Sequence, residues 1–334
     1  MSGDDKNRNK SGCLAEKKTL ATTSWSTISV GSLPMKEKSL VKREIVWRNV
    51  FLFALLHIGA VIGVYQMTYA KWQTVVWSLL CWMLTSLGVT AGAHRLWSHR
   101  SYKARWPFRA VLMLFNSMAF QNDIIEWSRD HRCHHKWTDT DADPHNINRG
   151  FFFSHVGWLL TRKHPKIKEN GAKLDLSDLY ADPVIVFQRK YYKLLVVLCC
   201  FVLPTWVAIT FWMEHPWTAF TTAGLLRYCF SLHATWCVNS VAHTWGYRPY
   251  SINISPAESI VTTALTFGEG AHNYHHTFPQ DYRASEDPVL GINFTKVFID
   301  LFAKVGLAYD LKTVSDETIR RQIERQTVLH AKRK

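Results

Sequence analysis

Residues 72–99 read WQTVVWSLLCWMLTSLGVTAGAHRLWSH, from Trp72 to His99. The first part, 72–92, carries no charge over 21 residues. A helix needs about 20 such residues to cross the hydrocarbon of a bilayer. The run then meets two imidazoles, His94 and His99. At 3.6 residues per turn, positions five apart diverge by about 140°. So the pair reaches two different metals or the helix ends between them.

Working outward, three more runs have the length and composition of spans: 50–68, 194–212 and 217–241. Shorter runs at 106–120 and 260–267 suit interfacial or re-entrant helices. Trp47, Trp72, Trp212 and Trp217 stand at span edges, as expected at a membrane–water boundary. Arg227 inside the last run requires a place facing the bundle interior or near the boundary. The links Tyr69-Ala-Lys71 and Met213-Glu-His-Pro216 hold one Lys between them. Lys36, Lys38, Lys42, Arg43 and Arg48 precede the first span, and the segment between the second and third is rich in Lys and Arg. Positive charge stays in the cytosol, which places both termini and the central segment there. The expected class is all-α: an integral membrane protein with four transmembrane helices and a cytosolic helical cap.

The flanks differ from this body. Residues 1–40 are polar, aperiodic and read as a disordered tail, and their start lacks the apolar core of a signal peptide. Residues 41–315 form the expected domain and 316–334 a charged cytosolic tail. The net charge is +14. Because the basic residues flank apolar runs, an anionic membrane face or an acidic partner fits better than nucleic acid. Of the seven Cys, Cys81, Cys199, Cys200, Cys229 and Cys237 lie in apolar segments as small buried hydrophobes.

Chemistry concentrates in histidine. His131-Arg-Cys-His134-His135 and His272-Asn-Tyr-His275-His276 both follow i, i+3, i+4 spacing, so each trio can face one side of a helix. Asn239 and His243 sit one turn apart. Neutral imidazole suits iron, zinc, copper and nickel. Nine imidazoles exceed what one four-coordinate zinc takes, and soluble di-iron bundles use Glu ligands that are not offered here. Iron with a nitrogen-rich shell and an open position can activate dioxygen. Asp130, Asp139, Asp141, Asp143, Glu126 and Glu269 read as acceptors orienting imidazole N–H groups. Asp139-Thr-Asp141-Ala-Asp143 lacks the glycine of a calcium loop, having Pro144 there. Cys133 is a possible thiolate donor inside the second box, and His145 in Asp143-Pro-His145 lies near the site. His57, His155, His164, His215, His233 and His330 are scattered and read as structural or solvated.

The boxes HRLWSH, HRCHH and HNYHH, with NSVAHTWG and GEGAHNYHHTFP around them, resemble the animal membrane acyl-CoA desaturases of the stearoyl-CoA desaturase type. The resemblance runs from about residue 47 to about 315. It implies an endoplasmic-reticulum enzyme with a di-iron centre that removes two hydrogens from a fatty acyl-CoA using dioxygen and two electrons. Matched by position, the iron ligands are His94, His99, His131, His134, His135, His243, His272, His275 and His276, with Asn239 acting through water. Acyl-CoA contacts are implied at Asn49, Asn122, Arg129, Asp130, Arg162, Lys163 and Trp236. Gln121, Trp127 and Thr235 match positions that bend the acyl tunnel, and Trp82 and Ser86 match its closed end. Cys133, Ala271 and the bulky Trp82 depart from the family pattern. They leave chain length and double-bond position open between Δ9, Δ11 and others.

No GxGxxG follows a strand and no His-Pro-Gly-Gly haem motif occurs, so electrons must come from a separate partner. The resemblance implies cytochrome b5 and its NADH-dependent reductase. The same metal chemistry would serve a membrane hydroxylase. A histidine-rich metal transporter would instead string polar residues through its spans.

Overall fold

A computed structural model describes residues 44–286 and 293–332. The predicted disordered tail, 1–40, lies outside the described residues.

The chain is mostly helical. Three of the described helices are long and apolar enough to cross a membrane: α1 Trp47–Met67, α2 Trp72–Ser98 and, later, Tyr192–Trp212. Their outer faces show why. Phe51, Leu55, Ile58, Val61 and Val64 on α1 are exposed, as are Leu194, Val197, Trp206 and Phe211. Such rows of bare apolar side chains are stable only against lipid. The protein reads as a multi-pass membrane protein.

After α2 come α3 Trp106–Ala119 and α4 Ile124–Lys136. Pro107 sits in the first turn of α3, where its missing N–H costs nothing. Asp123 caps α4 by accepting from the Glu126 N–H at 3.0 Å. Then come α5, the span Tyr192–Trp212, and α6. α6 runs unbroken through Pro216–Ala219, Phe220–Leu226 and Arg227–Thr244. It covers the fourth predicted span, yet its polar residues keep it out of the apolar class. Arg227 is buried and donates to the carbonyls of Cys200 at 2.5 Å, Met118 at 3.1 Å and Ala223 at 3.1 Å. It faces the bundle interior, tying α6 to α3 and α5.

Close approach sets the packing of α1 on α6. A Cβ added at Gly63 would lie 2.4 Å from the Thr221 carbonyl oxygen, so only glycine fits there.

Short helices Pro165–Gly171 and Pro183–Lys190 lie between α4 and α5, and after α6 come α7 Ile260–Thr266, α8 His272–Thr277, α9 Phe294–Lys304 and α10 Asp316–Ala331. Lys103–Ala104 and Ala308–Tyr309 make a two-stranded antiparallel ribbon. Phe108 on α3 stacks on Phe302 of α9 at 4.0 Å, within a core that includes Leu112, Ile124, Ile185 and Ile299. The segment read as a charged tail folds as α10, which buries Ile319 beside Tyr274 and Phe278.

Candidate metal centre

α2 and α6 both end in histidine, and α4 and α8 lie across those ends. The second half of α2, Gly88–Ser98, is π-helical. Its wider turn carries the His99 N–H to the His94 carbonyl, five residues back, at 3.1 Å. This aligns two rings that an ordinary helix would splay, and both join one cluster. The divergence expected from 3.6-residue spacing does not hold here.

Two groups of convergent imidazoles result. His94, His99, His131, His135 and His275 form one, and His134, His243, His272 and His276 the other. Within each, the candidate ligand atoms lie within 4.8 Å of one another. The expected single-faced trios are divided. His131 and His135 of α4 go to the first group and His134 to the second. On α8, His275 goes to the first, and His272 and His276 to the second. Positions i and i+4 point together, whereas i+3 swings to the other side of the seam.

The rings meet through Nε2. The separations are 2.8 Å for His99–His131, 2.9 Å for His94–His275, 3.0 Å for His243–His272 and 3.2 Å for His134–His276. Several Nδ1 atoms are committed elsewhere: His94 to Glu269 at 3.0 Å, His134 to both oxygens of Asp143 at 3.0 Å, and His243 to the Ser255 hydroxyl at 2.8 Å. A carboxylate only accepts, so Nδ1 of His94 and His134 carries the proton and Nε2 presents a lone pair. These lone pairs face further Nε2 atoms at ~3 Å, an arrangement that a shared cation would satisfy. That spacing is close to the edge of a coordination polyhedron with metal–nitrogen bonds of about 2.1 Å. The donor set fits transition-metal ions, and five imidazoles in one group exceed the four ligands of a closed zinc site.

Electrostatics agree. Burial first, and neighbouring imidazoles second, hold His131 and His135 well below the ordinary imidazole value. Both rings are therefore neutral and free to ligate. Burial alone would raise the Glu269 carboxyl, but Arg95 at 2.6 Å and His94 hold it at about 2. Asp143 is likewise depressed, because His134 and His145 outweigh its burial.

Of the six expected orienting carboxylates, Asp143 and Glu269 take that role. Asp139 reaches His243 through Ser255, accepting from its hydroxyl at 2.8 Å. Asp130 and Glu126 instead bind Arg129 and Lys163, and Asp141 binds Arg149. Their nearness to the boxes in sequence does not make them imidazole partners, because Arg and Lys side chains hold them. Cys133 faces Gly171, outside both groups. His145 is buried, with its ring 4.3 Å from that of His134.

A cavity leads to the centre. Its outer part is lined by Arg48, Asn49, Asn122, Asp130, His145 and Trp236, and its inner part by Ser86, Val89, Thr90 and Thr266. Trp127, His131, Thr235 and Asn239 border both parts, at the metal centre. Gln121 donates to the Thr235 hydroxyl at 2.9 Å, and Trp127 stacks on His131 at 4.9 Å. Beyond Ser86, Trp82 is wedged against Phe230 at 4.8 Å and Phe267 at 4.6 Å. Asn49 donates to the Leu159 carbonyl. Arg129 and Lys163 pair with Asp130 near the mouth, while exposed Arg162 pairs with Glu44.

The profile of the family described as Fatty acid desaturase matches residues 70–284, a segment holding every imidazole of both groups. The chain belongs to that family. Among curated desaturases, a Delta(9)-fatty-acid desaturase of Caenorhabditis elegans is 62% identical over 283 residues, 84% of this chain and 83% of the relative. Human stearoyl-CoA desaturase is 55% identical over 290 residues, 87% of this chain and 80% of the relative. An acyl-CoA Delta-9 desaturase of Acheta domesticus is 52% identical over 291 residues, 87% of this chain and 81% of the relative.

Proposed function

We propose that this desaturase introduces a double bond, at Δ9, into a fatty acyl-CoA in the endoplasmic-reticulum membrane. The observation that carries the reading is a cavity that passes from a polar mouth, past His94, His131, His134 and His272 of the two histidine groups, to an inner end at Ser86, Val89, Thr90 and Thr266. The names of the similar proteins support the substrate class and the Δ9 position.

In this reading α6 is a fourth span, both termini are cytosolic, and the two histidine groups sit in a cytosolic cap. The two groups would hold two iron ions, and Asn239, which borders the cavity beside them, is assigned a contact through water. Bound iron supplies the activation of dioxygen for C–H removal. The reaction takes one saturated –CH2–CH2– unit, dioxygen, two electrons and two protons, and yields –CH=CH– and two waters. Cytochrome b5 and its NADH-dependent reductase supply the electrons, and the +14 chain suits an acidic donor.

The chain's own residues bind and orient. Arg129, Arg162 and Lys163 suit CoA phosphates. Asn49, Asn122, Asp130 and Trp236 line or border the mouth, where the polar part of the thioester rests. The apolar wall beyond receives the acyl chain and excludes water. Trp127, with the bonded pair Gln121 and Thr235, fixes the bend that presents one carbon pair to the metals. Trp82 and Ser86 stop the methyl end.

The test is expression in a desaturase-deficient host, with double bonds located in the extracted fatty acids. A Δ9 product, lost on His134→Ala, is expected. A hydroxylated product, or full activity of the variant, would overturn the reading.

A further inference from the structure

Outside the metal centre, three histidines that look unrelated in sequence come together. His57 of α1 faces His233 of α6, with Nε2 atoms 3.0 Å apart. Cys229 stands one turn before His233, and its sulfur lies within 4.8 Å of a ring nitrogen of each histidine. His155, from the segment Phe153–Gly157, places its Nε2 3.0 Å from Nδ1 of His233.

One hydrogen-bond arrangement leaves both facing nitrogens as acceptors. His57 Nδ1 lies 2.6 Å from the Phe53 carbonyl, which only accepts, so this nitrogen holds the proton and Nε2 a lone pair. The Ser240 hydroxyl donates to the Trp236 carbonyl at 2.9 Å and so accepts from His155 Nδ1 at 2.8 Å. His155 Nε2 is then an acceptor for His233 Nδ1–H, which leaves a lone pair on His233 Nε2 as well. Two lone pairs oppose each other beside a thiol. The pattern repeats that of His94, His134 and His243 in the metal centre: Nε2 atoms converge while Nδ1 is tied to a partner behind it.

We propose that His57, His233 and Cys229 form a separate, intramembrane site for one copper(I) ion. Two imidazoles and a thiolate make a three-coordinate set suited to a soft ion, and thiolate selects copper(I) or zinc among common metals. Charge decides between those two. Copper(I) with one thiolate is neutral, whereas zinc would leave a positive charge between two spanning helices. Binding releases the Cys229 thiol proton to solvent and links α1 to α6. Cys229 is buried, while the two rings are partly exposed.

A rival arrangement turns the Ser240 hydroxyl toward His155 and gives up its bond to Trp236. His233 Nε2–H then donates to His57 Nε2, and no ion is needed. Copper uptake separates the two. The full chain, iron-loaded in lipid nanodiscs, is incubated with copper(I) under ascorbate and passed over a chelating resin. One retained copper per chain is expected, with one Cu–S and two Cu–N distances in its X-ray absorption spectrum. The metal centre has no thiolate donor, so copper misplaced there shows no sulfur. Copper should also raise the unfolding midpoint of the wild type. Cys229→Ser and His233→Asn should lose the copper and the shift while keeping their iron, which reports that they fold. No retained copper, a Cu–S distance surviving in Cys229→Ser, or retention of zinc in preference to copper would overturn the proposal.

Discussion

Asp143 grips His134 through both carboxylate oxygens and also accepts the backbone N–H groups of Asp139 and His145. Asn at this position offers one acceptor where two are in use. Asp143→Asn is expected to weaken metal binding roughly 10–100-fold. Iron retained against a competing chelator measures this, and unchanged retention would refute the orienting role. Trp82 acts at the other end. Trp82→Ala removes the ring packed on Phe230 and Phe267 and deepens the inner cavity. The product distribution in the deficient host should shift to longer acyl chains, and an unchanged distribution would show that the chain stops elsewhere. The histidine boxes could be read directly because residue type and spacing are local properties. Their division into two groups could not, since i+3 and i+4 share a face and only the opposing helices decide which ring meets which. The alignment of His94 with His99 depended on a π-turn that apolar pattern does not announce. His57, His155 and His233 looked scattered because the contacts joining them are tertiary.

At the level of elements, α1, α2 and α5 were legible because a lipid-facing helix is apolar around most of its girth. α6 was recognisable by length alone, as its inward residues are polar. Arg227 is the clearest case. Its guanidinium meets carbonyls from α3, α5 and its own helix, where unrelieved C=O groups would otherwise face one another. Arg227→Met should lower stability by roughly 1–3 kcal/mol through those orphaned acceptors. A fall in the unfolding midpoint in detergent checks this, and an unshifted midpoint would mean that the carbonyls find other donors. The charged C-terminal segment gave no periodic signal for α10, which docks through buried Ile319 and through Gln322 and Gln326, bonded to the backbone of Tyr250 and Ile252.

Across the whole molecule, acid sensitivity follows from the buried imidazoles. His99, His131, His135, His272, His275 and His276 lie well below the ordinary value, through burial first and mutual proximity second. A depressed imidazole binds fewer protons folded than unfolded. Its stabilising contribution is complete above the unfolded value of about 6.5 and fades as pH falls below it, by about 1.4 kcal/mol per unit of depression. The metal-free protein should therefore lose thermal stability steadily below pH ~6.5, and a flat profile would contradict the burial. One last point concerns α4 and α8, each of which sends rings to both histidine groups. Neither pocket can relax without tugging its neighbour through a shared rod. Occupancy should then behave as a single event: titration with ferrous iron climbs steeply, half-filled molecules stay scarce, and stripping one ion spills its twin.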